Sequence, residues 1–224
     1  MIFSSEPTVS AWQRKDLIPY LALHVLTAHE WSRGRDTLSV AAAALEGGAT
    51  IIQLRDKQAS TRQLVAEGLA LRSLTREHGA LLIVNDRIDV ALAIDADGVH
   101  LGQDDDMPVL LARKVLGPER ILGISAGNQA EATAAITANA DYISIGAIYA
   151  TRAKADAGAP IGTQFLSELA TRTSIPLVAI GGITAQNVEP VKHAGAIGIA
   201  VITAVVSADD ITAATREIRN RLKR

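Results

Sequence analysis

The feature that most constrains this chain is a rhythm. Eight short apolar runs recur along its 224 residues, their starts roughly 18 to 35 residues apart, with longer amphipathic stretches between them. The first four are Leu21–Thr27 (LALHVLT), Thr50–Leu54 (TIIQL), Ala80–Val84 (ALLIV) and Gly98–Leu101 (GVHL). Ile121–Ser125 (ILGIS), Tyr142–Ile145 (YISI), Leu177–Ile180 (LVAI) and Ile197–Val201 (IGIAV) follow. The spacing is about the room that a strand, a helix and two short loops need. Several runs are apolar on both faces, as strands of a covered parallel sheet are.

The stretches between them read as helices. Asp36–Glu46 opens with a capping Asp and ends at Gly47-Gly48, and Ser60–His78 stops at Gly79. Asn128–Ala138 and Thr184–Ala194 also begin with capping residues, and Asp209–Arg221 carries basic residues in its last turn, matching the helix dipole. Strand–helix alternation without a linker predicts one α/β domain, a (βα)8 TIM barrel over residues 20–224, preceded by a short N-terminal extension over 1–19. A doubly wound open sheet is the competing arrangement. In a barrel, functional residues belong at the C-terminal ends of the strands.

Composition narrows the function. Apolar residues make up 48% but aromatics only 3%, so Ala, Val, Leu and Ile must fill the core, and a stacking wall for single-stranded nucleic acid is excluded. With 22 basic against 24 acidic residues, no global field draws the chain to nucleic acid or an anionic membrane. A bound anion must be captured locally. The absence of cysteine excludes disulfides, thiolate metal sites and a cysteine nucleophile. No apolar stretch approaches the roughly 18 residues needed to span a bilayer, and residues 1–16 lack the pattern of a secretory signal. A cytoplasmic protein with small-molecule partners is expected; association into a homo-oligomer is left open.

Polar residues gather where a barrel would place its site. The second run leads into Gln53, Leu54, Arg55, Asp56 and Lys57, and strand alternation sends Gln53, Arg55 and Lys57 to one side. Three polar groups there make an anion cradle, although a solvated strand end reads the same way. The third run switches abruptly to Asn85-Asp86-Arg87, and the fourth ends in Gly102-Gln103 before Asp104, Asp105 and Asp106. Carboxylates at neighbouring strand ends suit a hard divalent cation such as Mg2+, whose shell phosphate oxygens complete. A helix cap and a solvated turn are the plainer readings. The connection 146–162 carries Thr151 and Lys154, and its glycines suit a lid over a ligand. Gly181-Gly182-Ile183 and Ile202-Thr203 end the last two runs, where barrels often bind phosphate through backbone amides. His24, His100 and His193 read as packing or supporting residues. No nucleophile, paired acid and base or Schiff-base lysine stands out.

These segments resemble the thiamine-phosphate synthase (thiamine-phosphate pyrophosphorylase) family. The resemblance rests on QLRDK at 53–57, VNDRIDVALA at 84–93, ADGVHLGQDD at 96–105 and GIS at 123–125. It continues in ADYISIGAIYATRAK at 140–154, AIGGI at 179–183 and AGAIGIAVIT at 194–203. It implies Mg2+-dependent coupling of 4-amino-2-methyl-5-hydroxymethylpyrimidine diphosphate to hydroxyethylthiazole phosphate (or its carboxylate), giving thiamine phosphate and diphosphate. By this resemblance Gln53, Arg55, Lys57 and Asn85 hold the pyrimidine diphosphate, with Mg2+ at Asp86 and Asp105. Ser125 contacts the pyrimidine and Lys154 the diphosphate, so Arg55, Ser125 and Lys154 act on the reacting groups. Thr151, Gly182, Ile202 and Thr203 hold the thiazole phosphate, together with the loop position Ala153, where the family usually has Thr or Ser. The same barrel also serves a thiazole tautomerase, which does not need the cation site, and a non-catalytic thiazole- or thiamine-phosphate binder is a further reading.

Overall fold

The computed structural model describes residues 14–102, 107–153 and 158–223. Eight parallel strands close into a barrel in chain order: β1 (Leu23–Leu26), β2 (Ile51–Leu54), β3 (Leu81–Asn85), β4 (Gly98–Leu101), β5 (Ile121–Ala126), β6 (Tyr142–Ile145), β7 (Leu177–Ile180) and β8 (Gly198–Val201). Leu23 lies opposite Ile199 and Val25 opposite Val201, which joins the last strand to the first. Around it run α1 (Arg14–Leu17), α2 (Thr37–Glu46), α3 (Thr61–Glu77), α4 (Ile88–Ala93), α5 (Val109–Leu116), α6 (Gln129–Thr137), α7 (Gln164–Ala170), α8 (Val188–His193), α9 (Thr203–Val206) and α10 (Ile211–Lys223). The sequence's barrel expectation holds, and the open sheet is set aside.

Strand alternation sorts the core into two layers. Val25, Leu54, Val84, Val99, Ile124, Ile145, Ala179 and Val201 face outward and pack in the large cluster under the helices. Leu26, Ile51, Leu81, Ile83, Ile121, Tyr142, Val178 and Ala200 form the separate cluster inside the barrel. Two glycines make that interior possible. A Cβ on Gly123 would run into the Tyr142 ring, and one on Gly198 into the Leu21 carbonyl oxygen. The second contact exists because Tyr20–Ala22 forms a 3-10 turn that plugs the N-terminal end with fully buried Leu17 and Leu21. Burying each such leucine contributes about 1.5–3 kcal/mol.

The sequence extended the first strand to Leu21 and Ala22, which instead belong to this plug. Likewise Thr184–Asn187 was expected to be helical but is a turn. There Asn187 Oδ1 accepts from the Thr184 amide at 2.7 Å, and Asn187 Nδ2 donates to the Gly182 carbonyl at 3.0 Å. Helices α4, α5, α7 and α9 went unread because their 6, 8, 7 and 4 residues are too short to establish a period. Capping was legible at Asp36, which accepts from the Ser39 amide at 2.8 Å, and at Asn128, which accepts from the Glu131 amide at 3.0 Å; the capping box of Ser60 and Gln63 is an addition from the structure.

Two aspartates brace the N-terminal face in the same way. Asp97, just before β4, accepts from both Arg72 terminal nitrogens and from the Leu82 amide at the start of β3. Asp141, just before β6, accepts from Arg113 and from the Leu122 amide at the start of β5. Each ties a helix and two strands together.

His24 is the one inward imidazole in the lower half of the barrel, edge-on to Tyr142 with ring centroids 5.3 Å apart. Burial pulls its pKa down from 6.5 to about 3, against an opposing hydrogen bond with the Leu21 backbone. The folded state therefore keeps His24 neutral where the unfolded chain takes up a proton, and stability falls as pH drops below about 6.5. We expect a loss of about 1.2 kcal/mol from this group between pH 6 and 5. Urea unfolding at both pH values should show it, and His24→Gln should remove that part of the slope.

Candidate functional site

The C-terminal ends of the strands open onto a cavity of about 870 Å³. On the β2 side, Arg55 is only 7% exposed, its backbone held from both directions by one side chain. Thr27 Oγ1 accepts from the Arg55 amide at 2.8 Å and donates to the Arg55 carbonyl at 3.2 Å. Glu30 Oε1 lies 3.5 Å from the Arg55 guanidinium. Next along the rim, Lys57 Nζ stands 3.8 Å from Asp86 Oδ2. Asp86 occupies the left-handed region at φ 64°, a conformation that short polar residues tolerate, and its amide donates to the His100 carbonyl at 2.9 Å. That turn sets Asp86 into the wall of the mouth beside Asn85.

The floor is built from β4, β5 and β6. His100 Nδ1 lies 3.0 Å from the Tyr142 hydroxyl, and His100 Nε2 lies 2.9 Å from Ser125 Oγ. The two rings stack with centroids 5.6 Å apart. Burial pushes the Tyr142 phenol well above its usual range, so it keeps its proton. Ser125 is thus positioned from below through His100.

The opposite rim is a cup of backbone. Gly181 and Gly182 have φ of 100° and 64°, and a Cβ on Gly182 would lie 2.7 Å from the Ala150 carbonyl oxygen. Ile148 and Tyr149 donate to the carbonyls of Ile180 and Gly181 at 2.9 and 3.0 Å, fastening the loop after β6 to the loop after β7. Among the described residues, the amides of Gly182, Ile183, Thr203 and Ala204 find no acceptor. Successive unpaired amides lining a concavity suit an anion. The connection expected to act as a lid is anchored at both flanks, Ile161 and Gly162 donating to the carbonyls of Ala147 and Ile148.

One cavity wall thus gathers Arg55, Lys57, Asn85, Asp86, Ser125, Thr151, Ala153, Gly182, Ile202 and Thr203. Gln53 is 2% exposed and lies outside that wall, its Oε1 without a donor among the described residues. Lys154 and Asp105 lie outside the described residues. The sequence reading missed Thr27, Glu30 and Trp31, for their loop carries no local signal. It also missed Ser144, which alternation in YISI points inward with Tyr142. Among the described residues no group of three or more His, Cys, Asp or Glu side chains could hold a metal. A donor set of Asp86 with ligand phosphate oxygens fits Mg2+, which is commonly held by one or two carboxylates.

The cup gives a direct prediction. Gly182→Ala should leave the circular dichroism unchanged, yet weaken binding of inorganic phosphate at least about tenfold, because the new Cβ meets the Ala150 carbonyl and strains a positive φ. Isothermal calorimetry would measure it.

With this geometry in hand, comparison with known proteins is specific. A family model described as thiamine monophosphate synthase matches residues 23–205. The thiamine-phosphate synthase of Chloroflexus aurantiacus is 56% identical over 197 residues, 88% of this chain and 90% of that one. The thiamine-phosphate synthase of Moorella thermoacetica is 49% identical over 207 residues, 92% of this chain and 98% of its own length. Among solved structures, thiamine phosphate pyrophosphorylase from Pyrococcus furiosus superposes with a TM-score of 0.85 at 42% identity, covering 92% of this chain and 98% of that one. The matched residues 23–205 include all eight strands, and the chain belongs to the thiamine monophosphate synthase family.

Proposed function

We propose that this protein couples 4-amino-2-methyl-5-hydroxymethylpyrimidine diphosphate to hydroxyethylthiazole phosphate or its carboxylate, releasing diphosphate and thiamine phosphate. The observation that carries this reading is the two-sided cavity. β3 and β7 stand four places apart in a closed ring of eight, so they face each other across the mouth. A cationic cradle with a carboxylate occupies one side and an amide cup the other.

In this reading Arg55, Lys57, Asn85 and Lys154 hold the diphosphate, and Gln53 supports them from below. Ser125, fixed by His100, touches the pyrimidine. Thr151, Gly182, Ile202 and Thr203 hold the thiazole phosphate, with Ala153 completing the loop at the cost of one hydroxyl. Asp86 and Asp105 would hold Mg2+, which when bound supplies positive charge to the diphosphate oxygens.

Chemistry then needs little else from the chain. The bond from the pyrimidine CH2 to the diphosphate oxygen breaks, and its electron pair leaves with the diphosphate. Arg55, Lys57 and Lys154 neutralise the charge that develops there, a preorganised electrostatic effect. The electron-rich aminopyrimidine stabilises the CH2 cation left behind. The cup orients the thiazole so that its nitrogen lone pair forms the new C–N bond. This accounts for a site without a nucleophile or a paired general acid and base.

Product formation from the two substrates, with and without Mg2+, tests the reading, and no thiamine phosphate under either condition would reject it. Asp86→Ala should reduce Mg2+-dependent turnover at least about 100-fold while the circular dichroism stays unchanged. Near-normal activity would remove Asp86 from the metal site. Arg55→Ala should weaken the pyrimidine diphosphate about 10- to 100-fold and leave thiazole phosphate within about twofold. Calorimetry with each ligand measures both, and equal losses would contradict two separate subsites.

A further inference from the structure

One polar group on the cavity floor is left unused by these assignments. Ser144 is only 3% exposed yet forms part of the cavity wall. It faces inward because Tyr142, two residues earlier, belongs to the interior cluster, while Ile143 and Ile145 belong to the outer one. Its hydroxyl has no hydrogen-bond partner among the described residues. Ser144 Oγ is not among the polar atoms sealed from solvent without a partner, so it is open to the cavity and free to meet a ligand there.

Position decides which ligand. Ser144 is the register partner of Ser125 on the neighbouring strand, and adjacent strands stand about 4.8 Å apart. The two serines therefore sit side by side, one level above Gly123 and Tyr142. β6 stands four places from β2 in the closed ring, so this pair faces Arg55 across the mouth. A ligand gripped by its diphosphate at β2 and β3 must reach across the cavity with its organic end toward β5 and β6. The amide cup on β7 and β8 already serves the other phosphate.

We infer that Ser144 is a second hydroxyl contact for the aminopyrimidine ring, beside Ser125; this rests on the coupling reading above. Each hydroxyl can donate and accept, and the ring offers an amino donor next to a nitrogen acceptor, a matching edge. Ser144 contributes to recognising the heterocycle and not the diphosphate.

The test compares two ligands that share the diphosphate. Calorimetry is run on the parent and Ser144→Ala with Mg2+, using the pyrimidine diphosphate without thiazole phosphate, and inorganic diphosphate separately. Ser144→Ala should weaken the pyrimidine diphosphate about 3- to 10-fold, the range for one lost hydrogen bond, and leave inorganic diphosphate within about twofold. An unchanged thermal midpoint excludes a folding defect, and Ser144→Gly should reproduce the loss. Unaltered affinity for the pyrimidine diphosphate, or equal loss for both ligands, would overturn the inference while leaving the coupling reading intact. A parent protein that binds inorganic diphosphate but gains nothing from the pyrimidine would overturn both.

Discussion

The site rests on one ring. Tyr142 lies inside the barrel, stacked against His100 and edge-on to His24, in space that exists because Gly123 has no side chain. Among the described residues Tyr142 is the one aromatic ring fully buried in the interior cluster, with Tyr20 and Trp31 packed against it from its ends. The hydroxyl of this ring meets His100, and His100 meets Ser125. The height and orientation of the cavity floor therefore follow from how Tyr142 packs. A smaller residue there would leave a void and also release the hydrogen bond that steadies His100.

The mouth solves an electrostatic problem within a chain whose net charge is only −2. Anion capture cannot come from a general field, so it is concentrated at strand ends. Arg55 is buried among groups that fix its backbone, with Glu30 nearby, and Lys57 stands opposite Asp86. Each cation has a carboxylate close at hand, which limits the cost of holding positive charge in a partly enclosed cavity before a ligand arrives. The facing rim uses backbone amides, which need glycine conformations but no charge. Two different devices suit two different phosphates.

The two ends of the barrel divide stability from chemistry, as this architecture generally does. Asp97 and Asp141 sit at the N-terminal face, each joining an arginine on a helix to the amide of the second residue of a strand. Both are 13 to 18% exposed and fully engaged. They lie within motifs that also carry the family resemblance, yet they brace the scaffold and do not touch the cavity. Position along the strand separates these roles, and motif membership does not.

The sequence by itself determined the strand–helix alternation and most of the rim, and the closed ring of strands decided for the barrel over the open sheet. Eight regularly spaced runs, several of them apolar on both faces, point to a covered parallel sheet, and abrupt switches such as Val84 to Asn85-Asp86 mark where strands emerge from the core. Capping residues such as Asp36 and Asn128 were legible because their bonds reach only three residues. Contacts between distant segments were not legible. Thr27 clasps Arg55 across 28 positions, and His100 meets Tyr142 across 42. Neither has a local signature, because the first arises from the pairing of β1 with β2 and the second from β4 and β6 curving toward each other inside the barrel. The same holds for Ser144, whose inward direction alternation predicts but whose place beside Ser125 comes only from the β5–β6 register. Local chemistry specified which groups the site contains, and barrel closure decided which of them meet.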